Sequence, residues 1–109
     1  MALVVQKFGG SSVATVDQIR KAAQVVTRSH AAGHRIVVVV SAMGDSTNRL
    51  VELARETTSS PSTREMDMLL SSGEQVTIAL MAMALKELGL ESRSYLGTQV
   101  RLLTDSVFC

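Results

Sequence analysis

Hydrophobic residues fall along the chain in short blocks whose spacing alternates between strand-like and helix-like. Residues 3–8 (LVVQKF) predict a short β-strand that ends at Gly9. A helix is predicted next. It begins at Thr15, which with Gln18 has the spacing of a capping box, and it ends at Gly33. Its apolar positions recur at three- and four-residue steps and form one face: Val16, Ile19, Ala23 and Val26.

A second strand is predicted at residues 35–40 (RIVVVV), where five consecutive β-branched residues show no polar alternation. Such a run is typical of a parallel strand that is covered on both faces. The polar loop 41–47 follows, and a helix cap is predicted at Ser46 or Thr47. The apolar face of the helix after this loop consists of Leu50, Leu53 and Ala54.

A third helix is predicted over about residues 63–70, after a surface turn that contains the single proline. Ser62 and Glu65 have the spacing of a second capping box at its start. The small and polar run Ser71-Ser72-Gly73 is expected to interrupt this helix.

A fourth helix is expected to start at a fresh cap formed by Ser72 and Gln75. Residues 76–88 are apolar on nearly every side, so this helix is predicted to lie deep in the core, and Gly89 ends it. Residues 92–96 predict a third strand. Strands that alternate with helices predict the α/β class with a mainly parallel sheet.

Composition excludes several classes of function. The chain has 109 residues, enough for one domain, and a net charge of +1 without a basic stripe. With two Phe, one Tyr and no Trp, it lacks the stacking surface of a nucleic-acid-binding protein. One cysteine and no visible secretion signal predict a cytoplasmic location. The longest apolar run, residues 76–85, has about half the length of a membrane span, so no membrane association is expected.

The segment KFGGSS, residues 7–12, ends the first predicted strand and precedes the first helix. Glycines let the backbone approach a ligand closely, and backbone N–H groups near a helix start bind phosphate. Lys7 would neutralise charge on a transferred phosphoryl group. The segment fits neither the GxxxxGK[ST] nor the GxGxxG pattern, which excludes a P-loop and a dinucleotide fingerprint. A tight turn without a ligand has the same composition, so both interpretations remain open.

Two further segments carry groups that suit a small polar substrate. SAMGDST, residues 41–47, leaves the second strand at the carboxyl edge, where ligands of open α/β sheets bind. Its hydroxyls would orient a substrate, although helix capping explains them equally well. Glu74 is expected in the first turn of an apolar helix, nearly buried. Either a substrate ammonium or the helix dipole would stabilise its carboxylate there.

The other reactive side chains are expected to be structural. His30 and His34 flank a turn without a metal-ligating cluster, and no metal site is predicted. Asp105 is expected at the surface, and Cys109 has no catalytic partner. Four methionines are expected to fill gaps in the core: Met66, Met68, Met81 and Met83.

Taken together and in order, four segments resemble the amino-terminal part of aspartate kinases, members of the amino acid kinase superfamily: VVQKFGGSSV, VVVVSAMGDSTNRL, REMDMLLSSGEQV and GTQ…LLTD. The resemblance extends from about residue 2 to residue 106. It implies a three-layer α/β/α fold with a mainly parallel sheet, incomplete in this chain. Residues 1–109 would be the amino-terminal portion of an amino acid kinase domain, with no second domain.

The resemblance also implies a reaction, in which the side-chain carboxylate of L-aspartate attacks the γ-phosphate of Mg-ATP and yields 4-phospho-L-aspartate. This is the first step toward lysine, threonine and methionine. ATP is a substrate, and Mg2+ accompanies it. Lys7 would be catalytic, and the residues implied in phosphate binding are Lys7, Phe8, Gly9, Gly10 and Ser11. The residues implied in substrate binding are Ser41, Thr47 and Glu74.

The chain departs from the family pattern in two places. Gln99-Val100-Arg101 stands where aspartate kinases usually have Gln-Ala-Gly, and residues 107–109 do not resemble the family continuation. The second phosphate loop, the arginine for the substrate carboxylate and the regulatory domains are expected to be missing. The alternative interpretation is therefore a truncated, inactive kinase-like binding protein. Its open sheet edge would favour a homo-oligomer or association with a longer kinase subunit.

Overall fold

The computed structural model describes residues 2–96, and this part of the chain contains two strands, a short 3-10 helix and three α-helices. The elements are β1 (Leu3–Phe8), a 3-10 helix (Gly10–Val13), α1 (Val16–Ala31), β2 (Arg35–Val40), α2 (Ser46–Thr57) and α3 (Thr63–Glu87). The departures at residues 99–101 and 107–109, together with Asp105, lie outside the described residues.

β1 and β2 form a parallel pair whose register runs from Leu3 opposite Arg35 to Phe8 opposite Val40. α1 connects the two strands, and both α1 and α3 pack against the sheet and against each other. The predicted α/β class with parallel strands is thereby confirmed. The core cluster lies between the sheet and these helices: Val13, Ile19, Ala22, Ala23, Val26, Val40, Met81 and Leu85.

α1 forms where its capping box and its apolar periodicity predict. The Gln18 N–H donates to Thr15 Oγ1 at 3.2 Å, and the helix ends before Gly33, whose φ of +97° favours glycine. Three of the four predicted face residues are buried: Ile19, Ala23 and Val26. Val16 is 53% exposed, so its placement in the core is wrong. As the first helical residue, it precedes the turns that meet the core.

β2 is not covered on both faces within residues 2–96. Ile36, Val38 and Val40 face the helices, whereas Val37 and Val39 are 46% and 43% exposed. On β1 the residues on the same outer face, Leu3 and Val5, are also exposed. The continuous run of valines fits a doubly covered strand, but the described helices that pack against the sheet cover only one side of it.

α2 begins at Ser46, after Gly44 with φ of +47°. The predicted cap at Ser46 or Thr47 is wrong, since Asp45 is the N-cap residue and its side chain makes no capping hydrogen bond. The helix packs against α3 through its half-buried residues, while Leu53, predicted on the apolar face, is 46% exposed. The predicted face holds for Leu50 and Ala54, which are half-buried.

α3 is one continuous helix of 25 residues, so the predicted interruption and the fresh cap at Ser72 are wrong. The predicted cap at its start is confirmed, because the Glu65 N–H donates to Ser62 Oγ at 3.2 Å. Inside the helix, Ser71 Oγ and Ser72 Oγ donate to backbone carbonyls three residues earlier, at 2.8 and 2.6 Å. These hydroxyls bond within the helix instead of ending it.

Gly73 has a packing role inside α3. A Cβ at this position would lie 3.2 Å from Ala42 Cβ and 3.3 Å from Leu50 Cδ1, which is tighter than ordinary contact. The glycine therefore lets α3 approach both α2 and the loop after β2. It acts as a contact point between elements and not as a helix end.

The second half of α3 lies less deep than predicted. Its buried residues are Thr77, Met81 and Leu85. Val76, Met83 and Leu88 are exposed, and so is Met68; the gap-filling role expected of Met68 and Met83 is therefore wrong. The helix ends as predicted, at Glu87 ahead of Gly89 with φ of +89°.

The third strand predicted at residues 92–96 does not form. Ser92 Oγ donates to the Ala82 carbonyl at 3.0 Å, which joins the start of this segment to α3.

One helix among the described residues, α3, is long and apolar enough to cross a membrane, with a mean hydropathy of 1.4 over 18 residues. Residues 76–85 alone are too short to cross a membrane, whereas the whole of α3 is long enough, so length does not exclude a membrane span. Core helices of water-soluble proteins satisfy the same criterion, so this is weak evidence for a membrane.

Replacing Gly73 with leucine should lower the free energy of unfolding by about 1–3 kcal/mol, because the added atoms overpack the contact with Ala42 and Leu50. Asp67→Leu, at an exposed position of the same helix, is the matched control and should change stability by less than about 0.5 kcal/mol. Urea denaturation followed by circular dichroism measures both. Equal stabilities for the two variants would contradict this role of Gly73.

Candidate functional site

The loops that follow β1 and β2 meet at the carboxyl edge of the sheet. Phe8 and Val40 are opposite each other at the strand ends, so both loops leave from the same edge. The Ser41 N–H donates to the Phe8 carbonyl at 3.1 Å, and the Gly44 N–H donates to the Gly10 carbonyl at 3.0 Å. The two sequence segments singled out for their chemistry are thus hydrogen-bonded to each other.

Gly10 is the point of closest approach between these loops. A Cβ on Gly10 would lie 3.2 Å from the Ala42 carbonyl oxygen and 3.4 Å from that of Gly44. Gly9 differs, because a Cβ there would meet nothing within 4 Å. One glycine is therefore needed for loop packing, and its neighbour leaves open space beside the backbone.

The 3-10 helix after β1 presents backbone donors beside this open space. The Ser12 N–H donates to the Gly9 carbonyl at 3.0 Å. Within residues 2–96, the N–H groups of Gly10 and Ser11 donate no hydrogen bond to the chain. Free N–H groups at the start of a helical turn attract anions such as phosphate.

Lys7 and Phe8 point in different directions because side chains alternate along a strand. Lys7 is exposed on the outer face of β1, one residue before the end of the strand. The Phe8 side chain packs against the core cluster, so its backbone is the part of it that borders the loop. A lysine ammonium and free N–H groups therefore lie within five consecutive residues.

The three residues implied in substrate binding lie on three different elements. Ser41 is half-buried in the loop that is bonded to β1, and Thr47 is exposed in the first turn of α2. Glu74 follows Gly73, whose contact with Ala42 brings this part of α3 beside the same loop.

Glu74 is exposed in the middle of α3, and not nearly buried in a first helical turn as expected. Of the two alternatives for its carboxylate, the helix dipole is therefore wrong, since the dipole acts within the terminal turns. A substrate contact by Glu74 rests on the family resemblance and on its place beside the loop.

A cleft of about 610 Å3 adjoins the loop after β2 and continues along the first turns of α2. Its lining residues are Ala14, Met43, Gly44, Asp45, Ser46, Asn48, Arg49 and Glu52. Sequence reasoning did not select Arg49, because a single arginine in a polar helix has no distinguishing pattern. Within residues 2–96, no group of three or more His, Cys, Asp or Glu side chains is arranged to hold a metal ion.

Substitution by alanine is expected to affect stability differently at Gly9 and Gly10. Gly10→Ala should lower the free energy of unfolding by about 1–3 kcal/mol, because its methyl group presses on two backbone carbonyls that have no flexible end. Gly9→Ala, the matched control, should change stability by less than about 0.5 kcal/mol. Thermal unfolding of the two variants makes the comparison, and a less stable Gly9 variant would contradict the close approach at Gly10.

Comparisons with known proteins identify the family of this chain. Residues 2–107 match the model of the amino acid kinase family. The chain is 56% identical over 106 residues to an aspartate kinase of Stutzerimonas stutzeri (strain A1501), covering 97% of this chain and 26% of that protein. It is 52% identical over 107 residues to an aspartokinase of Bacillus subtilis (strain 168), covering 98% of this chain and 26% of that protein.

A solved structure shows the same fold. The crystal structure of aspartate kinase from Synechocystis superposes with a TM-score of 0.78 at 57% identity, over 79% of this chain and 15% of that chain. The chain thus spans about a quarter of the length of the curated relatives it matches, 26% in both cases given above. The resemblance to aspartate kinases inferred from the motifs is confirmed, and the chain belongs to the amino acid kinase family.

Proposed function

We propose that the chain is the amino-terminal portion of an aspartate kinase catalytic domain and forms one side of a site for ATP and L-aspartate. The observation that carries this proposal is the hydrogen-bonded meeting of the two loops at the carboxyl edge of the sheet. Ligands of open α/β sheets bind at such edges. The proposal concerns a longer protein, since the relatives are about four times the length of this chain.

The reaction is transfer of the γ-phosphoryl group of ATP to the side-chain carboxylate of aspartate, giving 4-phospho-L-aspartate and ADP. A carboxylate oxygen forms the new bond to phosphorus as the bond to the β-phosphate oxygen breaks. Free aspartate has a side-chain pKa near 3.9, so its carboxylate is already ionised at neutral pH and requires no general base. Positioning and charge neutralisation are then the main tasks of the site.

Lys7 and the loop after it are proposed to hold the nucleotide phosphates. The free N–H groups of Gly10 and Ser11 would donate to phosphate oxygens, and the open space at Gly9 would admit them close to the backbone. The Lys7 ammonium would stabilise the negative charge on the transferred group. Phe8 would contribute through its backbone, since its side chain belongs to the core.

Ser41, Thr47 and Glu74 are proposed to orient aspartate. Ser41, half-buried beside the phosphate loop, would lie near the transferred group, and the Thr47 hydroxyl would hydrogen-bond the amino acid. The exposed carboxylate of Glu74 would pair with the substrate ammonium. Mg2+ would be bound by the ATP phosphates. This agrees with the described residues, among which no carboxylate cluster is arranged to hold a metal ion.

The cytoplasm is the proposed location, where ATP and free aspartate are both present.

The intact mass of the protein that the source cell makes tests whether this chain is part of a longer kinase. A mass several times 11.7 kDa is expected. A mass near 11.7 kDa, together with no phosphoryl transfer, would instead favour a kinase-like binding protein.

Lys7→Ala should reduce ATP- and aspartate-dependent formation of the acyl phosphate by about 10²–10³-fold, as the loss of one transition-state contact does elsewhere. The product is trapped with hydroxylamine as the hydroxamate and measured colorimetrically. Lys21→Ala, which removes an exposed lysine of α1, is the control and should retain activity. Thermal unfolding should be the same for both. Near-normal turnover of the Lys7 variant would contradict its proposed role.

Glu74→Gln should raise the KM for aspartate by about tenfold, the loss expected for one charge-assisted contact, while the KM for ATP changes little. Glu87→Gln, at an exposed site near the end of the same helix, should leave both constants unchanged. The same trapping assay at varied substrate concentrations measures them. If both KM values rise equally, Glu74 does not act on the ammonium of aspartate.

A further inference from the structure

Thr77 is a polar residue at a position of α3 where the other buried residues are apolar. Its side chain is 0% exposed, and among residues 2–96 no other polar or charged residue is buried. Met81 and Leu85, one and two turns later on the same side of the helix, belong to the core cluster. Valine has nearly the same shape as threonine and no hydroxyl to remove from water, so packing alone favours valine here.

The Thr77 hydroxyl donates to the Gly73 carbonyl at 3.3 Å. In an α-helix this carbonyl also accepts the backbone N–H of the residue four positions later, which is Thr77 itself. The Gly73 carbonyl therefore has two donors from one residue. Glycine loosens a helix because it has no side chain to restrict its backbone, and a second donor on a stiff, buried side chain restricts that carbonyl.

Gly73 is the residue through which α3 contacts the loop after β2. A Cβ at Gly73 would lie 3.2 Å from Ala42 Cβ, and Ala42 follows Ser41 in that loop. Ala42 is itself buried, and its carbonyl oxygen lies at the close approach to Gly10. A change in the helix turn at Gly73 would therefore move Glu74, the next residue, relative to both loops.

We propose that Thr77 is a positioning residue for the aspartate side of the site. Its buried hydroxyl fixes the turn of α3 at Gly73 and thereby the position of Glu74 relative to the loop after β2. This inference rests on the proposed function, in which Glu74 pairs with the substrate ammonium. Thr77 acts through these neighbours and does not contact substrate, since its side chain is fully buried.

Two other threonines make the same kind of bond in a different setting. Thr27 Oγ1 donates to the Ala23 carbonyl in α1 at 2.8 Å. Thr57 Oγ1 donates to the Leu53 carbonyl in α2, also at 2.8 Å. Thr27 is half-buried and Thr57 is exposed, and neither bond ends on a glycine. The bond of Thr77 is longer, so we assign its effect to the geometry of a glycine turn and not to bond strength.

Thr77→Val, made in the protein at the length that the source cell produces, separates stability from substrate affinity. It should unfold at the same or a higher temperature, because an apolar group replaces a buried hydroxyl and the Gly73 carbonyl keeps its N–H partner. The KM for aspartate should nevertheless rise by about fivefold, the change that one hydrogen bond is worth. The KM for ATP and kcat should change little.

Thr77→Ser keeps the hydroxyl and removes a buried methyl group. It should unfold at a lower temperature, because the lost methyl leaves a cavity, yet its KM for aspartate should stay close to that of the unsubstituted kinase. A purely structural role predicts the reverse order, with the less stable serine variant the more impaired. Thr27→Val, which removes the corresponding bond from α1, is the matched control and should leave both KM values unchanged.

Combining Thr77→Val with Glu74→Gln tests whether the two residues act together. The double variant should have the KM for aspartate of Glu74→Gln alone, because the position of residue 74 no longer matters once its charge is gone. Effects that multiply independently would overturn the proposal. A raised KM for aspartate in Thr77→Ser would also overturn it, and so would equal increases in both KM values in Thr77→Val.

The hydroxylamine trapping assay measures both KM values, and circular dichroism follows unfolding. A kinase that forms acyl phosphate, but whose KM for aspartate does not respond to Thr77→Val, refutes this inference alone. Absence of acyl phosphate formation by the unsubstituted protein refutes the proposed function, and this inference with it.

Discussion

Contact between two backbone loops at the end of a parallel strand pair organises the rest of this structure. β1 and β2 end in register, and the hydrogen bond from the Gly44 N–H to the Gly10 carbonyl joins the loops that follow. A side chain at residue 10 would crowd the Ala42 and Gly44 carbonyl oxygens beside this bond. Once the loops are joined, the free N–H groups of Gly10 and Ser11 and the hydroxyl-bearing loop have fixed relative positions. Rigid placement of polar groups is what a phosphoryl-transfer site without a general base needs.

Gly73 extends the same constraint to α3. Its contact with Ala42 and Leu50 joins the middle of a long helix to the loop after β2 and to α2. The same contact places Gly73, the residue before Glu74, beside the loop after β2. Two glycines far apart in sequence therefore serve one purpose, which is close approach of backbones around a single loop.

The sequence predicted those features that local chemistry determines. Two of the three predicted strands and the N-terminal helix caps at Thr15 and Ser62 appear where the pattern places them. The errors at Ser72 and Glu74 have one cause, since small and polar residues that often end helices are here held inside one by tertiary packing. Local spacing carries no information about Leu50 and Ala42, which are more than 20 residues away in the chain.

The outer sheet face shows a different limit of sequence reasoning. The valines of β2 predict burial on both sides, and only the side toward α1 and α3 is covered in residues 2–96. The candidate site was predictable as a set of loops because parallel strands bring their carboxyl ends to one edge. The orientation of the Phe8 side chain was not predictable, because it depends on the core that forms behind the strand.

The order of elements along the chain also has a consequence for synthesis on the ribosome. The strand pair is complete once residue 40 has emerged, yet the core cluster that covers it includes Met81 and Leu85 near the end of α3. Through much of translation, the sheet and α1 therefore lack the helix that seals them. Nascent chains with uncovered apolar surface and unpaired strand edges are ligands for chaperones. The inner face of the sheet is thus completed only when the end of the last described helix has emerged, although that face is built from strands made first.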